Sequence, residues 1–199
     1  MPTDSYTLHR RRVKYARIYI NYDLEVRVVV PTWFRQADLE RFLFEKSGWI
    51  QKTIAHYKEL RSQAPQLQQG ELLYLGSTIT VPFDTTNKVL VEKWYRLQAK
   101  KYFAQRLEQL AFQHGFKYNR LSIRASKTRW GSCSTKKNIT LNWHLMKAPE
   151  FIIDYLVLHE LTHTEIMNHS NRYWKRVAEV CPFYEEAKQW LKKYGNALH

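Results

Sequence analysis

The 199-residue sequence has only two cysteines, Cys133 and Cys181. A disulfide framework is therefore excluded, and the low usage fits a reducing compartment, so a cytoplasmic location is expected. Long hydrophobic runs are missing as well. The longest near-apolar stretch, Phe151 to Leu158, is interrupted by Asp154 and is far too short to span a bilayer. The arginine cluster near the N-terminus is not followed by an apolar segment, so the signal-peptide pattern is absent and no membrane partner is expected. Internal repeats and low-complexity tracts are lacking too. Acids are scarce in one region: from Gln109 to Pro149 there is no Asp or Glu, while Lys117, Arg120, Arg124, Lys127, Arg129, Lys136, Lys137 and Lys147 are basic. With a net charge of +14, such a field attracts polyanions: nucleic acid, a nucleotide or an acidic protein. A solvated basic face that aids solubility is the plainer reading of the same charges.

What is present can build a core. Hydrophobic residues make up 44% of the chain, with seven Trp and thirteen Tyr, enough for one compact domain or two small ones. Residues 13–30 read as a β-hairpin turning at Asn21-Tyr22-Asp23. Residues 37–60 read as a helix, with Gly48 a candidate interruption. The Gln-rich segment from Arg61 to Gly70 is the best linker. Short strands are expected at 72–75, 78–83 and 89–91, then an amphipathic helix over 92–113 ending at Gly115. Strands at 121–125 and 138–143 flank a basic loop. Pro149 suits the first turn of a helix over 150–166 that is apolar around most of its circumference, and two shorter helices follow near 171–180 and 183–194, with Ser170 as N-cap of the first. The division expected from this pattern is a β-rich N-terminal region with one long helix, 1–91, and a catalytic region, 92–199.

Inside the apolar helix lies His159-Glu160-Leu161-Thr162-His163. Residues i and i+4 stand one above the other on a helix, so both imidazoles can reach a single ion. Glu160 is one position along and projects beside the metal, placed to take a proton from a zinc-bound water. Zinc needs a third protein ligand. His169, six residues after His163, is preferred; Glu165, pointing to a different helix face, is the rival. A sharp turn must bring His169 back, and Asn168 in the left-handed conformation is one way to make it. A chain of this composition contains HExxH by chance only about 0.02 times. Buried without partners, two His and a Glu would cost several kcal/mol, roughly what a metal would offset. One Zn2+ per chain is the cofactor expected. Tyr173, Arg129 and His144 are candidates for an electrophilic group opposite the metal.

The run Arg129-Trp130-Gly131-Ser132-Cys133-Ser134, then Asn138-Ile139-Thr140-Leu141-Asn142-Trp143, Ala148-Pro149, the HELTH pentapeptide, Asn168-His169-Ser170 and Tyr173-Trp174 together resemble the YgjP-like metallopeptidase family, itself related to the WLM and SprT-like zincins. Tyr173 stands where that family usually shows Phe, and Thr162 where Ala is common. The resemblance implies an α+β fold: a zincin-like metallopeptidase core whose HExxH helix packs under a small β-sheet, preceded by a β-rich N-terminal region. It also implies a peptide or protein substrate. Asn138–Trp143 is the candidate edge strand to pair with an extended peptide, with an ordinary core strand as the alternative. Lys127, Arg129, Trp130, Lys136, Lys137 and Asn142 are candidate substrate or nucleic-acid contacts. Trp130 is read either as a stacking platform or as a core residue, and Cys133 as a small packed residue. Two other functions stay open: a metal-dependent nucleoside triphosphate phosphohydrolase using the basic stretch, and a nucleic-acid-binding protein with structural zinc.

Overall fold

The computed structural model describes residues 6–199 as a mixed α/β chain with small sheets and five α-helices. Two compact units are separated between Ala64 and Pro65: Met1–Ala64 and Pro65–His199.

In the first unit, β1 (Thr7–Arg11), β2 (Arg17–Ile20) and β3 (Val26–Pro31) form one sheet in the order β1-β3-β2. The expected hairpin is β2–β3, antiparallel with Arg17 opposite Val29. The strand β1 was not legible in the sequence; it pairs in parallel with β3, Thr7 opposite Arg27. Helix α1 (Gln36–Gln63) runs uninterrupted through Gly48, where an added β-carbon would meet nothing within 4 Å. A small core of Val26, Val28, Val30 and Leu39 joins the sheet to the helix, with Ile18, Ile20, Leu43 and Ile54 at its margin. Period-two alternation along β3 supplies one side of that contact and the 3.6-residue stripe of α1 the other.

In the second unit, β4 (Glu71–Tyr74) and β5 (Ser77–Thr80) make a hairpin. It is tied to the C-terminal core by the Leu75 amide, which donates to Met146 O at 2.8 Å. The expected strand at 89–91 is instead the first turn of α2 (Lys88–His114). The Asn87 side-chain oxygen accepts from the amides of Val89 and Leu90, and this N-cap outweighs the strand preference of the two valines. The helix ends, as expected, at Gly115, left-handed at φ 73°.

A second three-stranded sheet has the order β6-β8-β7, with β6 (Arg120–Arg124), β7 (Gly131–Cys133) and β8 (Asn138–Asn142). This corrects the expected edge strand. Asn138–Asn142 is the central strand, paired in parallel with β6 and antiparallel with β7; the two edges are β6 and Gly131–Cys133, the latter inside the segment read as a basic loop. Ile139 and Leu141 are fully buried; a strand with neighbours on both sides and an apolar face against helices has no edge to offer. A short 3-10 helix, Trp143–Lys147, leads into α3 (Glu150–Thr162), which is followed by α4 (Asn171–Val180) and α5 (Tyr184–Tyr194). α3 packs against α2 and the edge of the sheet, and its residues Ile152, Ile153, Val157 and Leu161 have no exposure. A two-pronged ion pair, Arg106 Nε to Asp154 Oδ1 at 2.5 Å and Nη2 to Oδ2 at 2.6 Å, clamps α2 to α3.

Candidate metal centre

α3 stops at Thr162, four residues before the expected end. The Thr164 hydroxyl donates to Leu161 O at 2.7 Å, and the Ile166 amide to Thr162 O at 3.0 Å, so the chain curls away directly after His163. The turn that returns His169 needs no left-handed residue: Asn168 is not among the residues of positive φ, which corrects the expectation for it. Ser170 occupies the N-cap position of α4, but its hydroxyl makes no capping hydrogen bond.

The outcome is a convergence of three imidazoles. Nε2 of His163 and Nε2 of His169 are 3.1 Å apart, and Nε2 of His169 and Nε2 of His159 are 3.3 Å apart. Four-coordinate zinc with Zn–N bonds of about 2.0–2.1 Å holds its nitrogens about 3.3 Å from one another, so the spacing fits that ion. Nδ1 of His163 lies 3.1 Å from Ile166 O. As a donor to that carbonyl it leaves Nε2 with a free lone pair, the form that binds metal. Burial pushes the pKa of His159 down to about 3 and that of His163 below the ordinary histidine value, which keeps both rings neutral. Tyr173 stacks on His163 with ring centroids 4.5 Å apart, Trp174 stacks on His169 at 5.6 Å, and the Tyr173 hydroxyl donates to His159 O at 3.0 Å. The rival ligand Glu165 is exposed and bonded to Arg176 at 3.2 Å; it is not part of the cluster.

Glu160 is 4% exposed, and its Oε2 has no hydrogen-bond partner in the protein. Burial pushes its pKa up to about 8. An unpartnered carboxylate oxygen in an otherwise apolar helix is costly on its own, and its position beside three convergent imidazoles is where a polar ligand would relieve that cost. Over it lies the edge strand β7: a β-carbon on Gly131 would fall 2.8 Å from Glu160 Cγ and 2.9 Å from Cδ. Sequence reasoning missed Gly131 as a functional position. Its only signal was a glycine where a strand side chain would be ordinary.

The remaining expected site residues divide. Lys127, Arg129, Lys136 and Lys137 are exposed in the loops flanking β7. Asn142 is 3% exposed and fully engaged. Its Nδ2 donates to Ser126 O at 2.7 Å and Arg129 O at 3.2 Å, and its Oδ1 meets the His144 amide at 3.2 Å and His144 Nδ1 at 2.9 Å. With both donors and both lone pairs occupied, it positions the 126–129 loop at the wall of the concavity around Arg129. Trp130 is half-buried: one face stacks on His199 at 4.6 Å near Gly195 and packs against the core, and the residue also lines the concavity beside Arg129. Cys133 is half-buried, as its packed reading expects, and burial raises its pKa to about 11. Of the proposed electrophiles, Tyr173 is fully buried with its hydroxyl committed to a backbone carbonyl, and His144 is stacked on Trp143 at 3.7 Å. Arg129 borders a concavity of about 290 Å3 together with Arg124, Ser126, Ser132 and Thr140. Strand alternation sets Arg124, Ser132 and Thr140 on the opposite face of the sheet from Ile139 and Leu141.

A three-histidine cluster beside a buried carboxylate is the donor set of a zinc metallohydrolase. Comparison with known proteins places it further. The YgjP-like, metallopeptidase domain family matches residues 14–89 and 83–194, and the chain belongs to that family. The crystal structure of the metallopeptidase zymogen of Pyrococcus abyssi abylysin is similar at 30% identity, covering 43% of this chain and 85% of that one, with a TM-score of 0.38. No curated protein matches. Among the described residues, no helix is long and apolar enough to cross a membrane.

Proposed function

We propose that this chain is a zinc-dependent peptidase with a zincin-like core. One zinc per chain would be held by His159, His163 and His169, and Glu160 would be the general base. The convergence of the three Nε2 atoms next to the unpartnered Oε2 of Glu160 carries this reading. Bound zinc supplies a water of lowered pKa and polarises the scissile carbonyl. Glu160 would take up a proton at Oε2 and return it to the leaving amine. Tyr173 and the Ile166 carbonyl hold the ligand rings from behind. The open edge of β7 would pair with the backbone of an extended peptide. The exposed Lys127, Arg129, Lys136 and Lys137 beside that strand favour acidic substrates, and the same charges are the route by which nucleic acid could recruit the protein.

The test is hydrolysis of a quenched fluorescent peptide library by wild-type protein and by Glu160→Gln, with zinc content measured on both. Cleavage by the wild type, a loss of about 10²–10⁴-fold in Glu160→Gln and equal zinc in the two would support the reading. Zinc bound but no peptide cleaved, with nucleoside triphosphates hydrolysed instead, would replace it with the phosphohydrolase alternative.

A further inference from the structure

The first unit carries a groove that the metal chemistry does not use. It lies between β2 and one face of α1, encloses about 510 Å3, and is lined by Ala16, Arg17, Ile18 and Tyr19 of the strand side and by Phe42, Lys46 and Trp49 of the helix. Positions 42, 46 and 49 are spaced i, i+4 and i+7, so they form a single ridge along α1. β2 is the edge of its sheet, with β3 on one side and no strand on the other among the described residues. Its outer row of amides and carbonyls is therefore unpaired by the sheet.

Large apolar side chains are left open here. Trp49 is 49% exposed and Tyr19 41%. An open strand edge running beside an apolar helix ridge is the arrangement that accepts an extended segment as an added strand, with backbone bonds giving affinity and alternate side chains entering the groove. The charge on the rim says what kind of segment. Arg17 and Lys46 line the groove without any acid, and no ion pair among the described residues engages either. A second copy of this chain would bring its own large positive charge against that rim; an acidic segment is attracted to it.

We propose that the β2–α1 groove is a docking site for an extended acidic peptide segment with alternating hydrophobic side chains, which joins the sheet as a fourth strand beside β2. The site is independent of the metal centre and stands whether or not the chain cleaves peptides.

The test uses the full chain carrying Glu160→Gln, so that the probe survives, and fluorescence anisotropy of a labelled Asp-Val-Glu-Ile-Asp-Val-Glu-Ile peptide. Saturable binding is expected, weakened at least about ten-fold by Trp49→Ala and by Lys46→Glu, both surface changes. A probe N-methylated at alternate residues, and one with lysine in place of the acids, should not bind. Absence of binding, equal binding of the N-methylated or lysine probe, or affinity indifferent to both substitutions would overturn the proposal. A concentration-dependent dimer broken by Lys46→Glu would also overturn it, since the occupant would then be a second copy.

Discussion

Gly131, the first residue of the edge strand β7, lies directly against the side chain of Glu160: a β-carbon there would overlap Oε1 and stand 2.8 Å from Cγ. The absence of a side chain at 131 is what lets the carboxylate lie under the strand that is proposed to receive substrate. Gly131→Ala is therefore expected to displace Glu160 while leaving the three histidines in place. Catalytic displacement of this kind costs about 10²-fold. The check is kcat and zinc content together: a fall in kcat with full zinc occupancy is expected, and no additional loss when Gly131→Ala is combined with Glu160→Gln, because both act through one group. Multiplicative losses in the double variant would show that Gly131 acts elsewhere.

Tyr173 supports the site from behind. Its hydroxyl donates to His159 O, which also accepts from the His163 amide, so Tyr173→Phe removes one of two bonds and keeps the ring stacked on His163. The expected effect is a loss of about 1 kcal/mol of stability, seen as a melting temperature lower by about 2–4 °C, with zinc content and kcat unchanged. A large drop in kcat at unchanged KM would instead make Tyr173 a group that touches the reacting atoms.

His169 stands on an exposed turn outside α3, so its removal should weaken the metal without damaging the core. For His169→Ala, zinc content after purification without added metal should fall sharply while circular dichroism stays that of the wild type. Retention of stoichiometric zinc would point to a different ligand set.

Acid should destabilise the metal-free protein. His144 stacks on Trp143, bonds to Asn142 and is held by burial, with Lys147 and His199 adding repulsion, at a pKa of about 3. His199 is lowered in the same direction, first by burial. In the unfolded chain these rings take up protons near their ordinary value of 6.5; in the folded chain they resist. Their contribution is complete above pH 6.5 and is lost as the pH falls below it, for His144 down to about 3. Urea unfolding at pH 7, 5.5 and 4.5 should show falling midpoints, with a shallower fall for His144→Phe, which keeps the stack and cannot titrate. Parallel falls in the two proteins would exclude His144 as a source of the slope.

The HELTH pentapeptide was legible because its geometry is local. Once 150–162 is a helix, His159 and His163 share a face by periodicity alone, and the apolar residues around them made that helix readable. Gly115 as a helix stop and the β2–β3 hairpin are equally short-range. The misread stretches depended on contacts the linear order conceals. Val89–Val91 looked like strand until Asn87 capped a helix over it. Asn138–Asn142 looked like an edge strand until β6 and β7 paired on both its sides.

The sequence by itself determined that His159 and His163 share one helix face with Glu160 beside them, because residue type and helical spacing act over a few residues. Tertiary structure alone decided which strand is central, that Gly131 rather than a side chain covers Glu160, that β1 joins β3 in parallel, and that β2 remains open beside Trp49. Those outcomes follow from pairing between segments far apart in the chain, where the free energy of burying apolar faces together selects one register and leaves one edge unpaired.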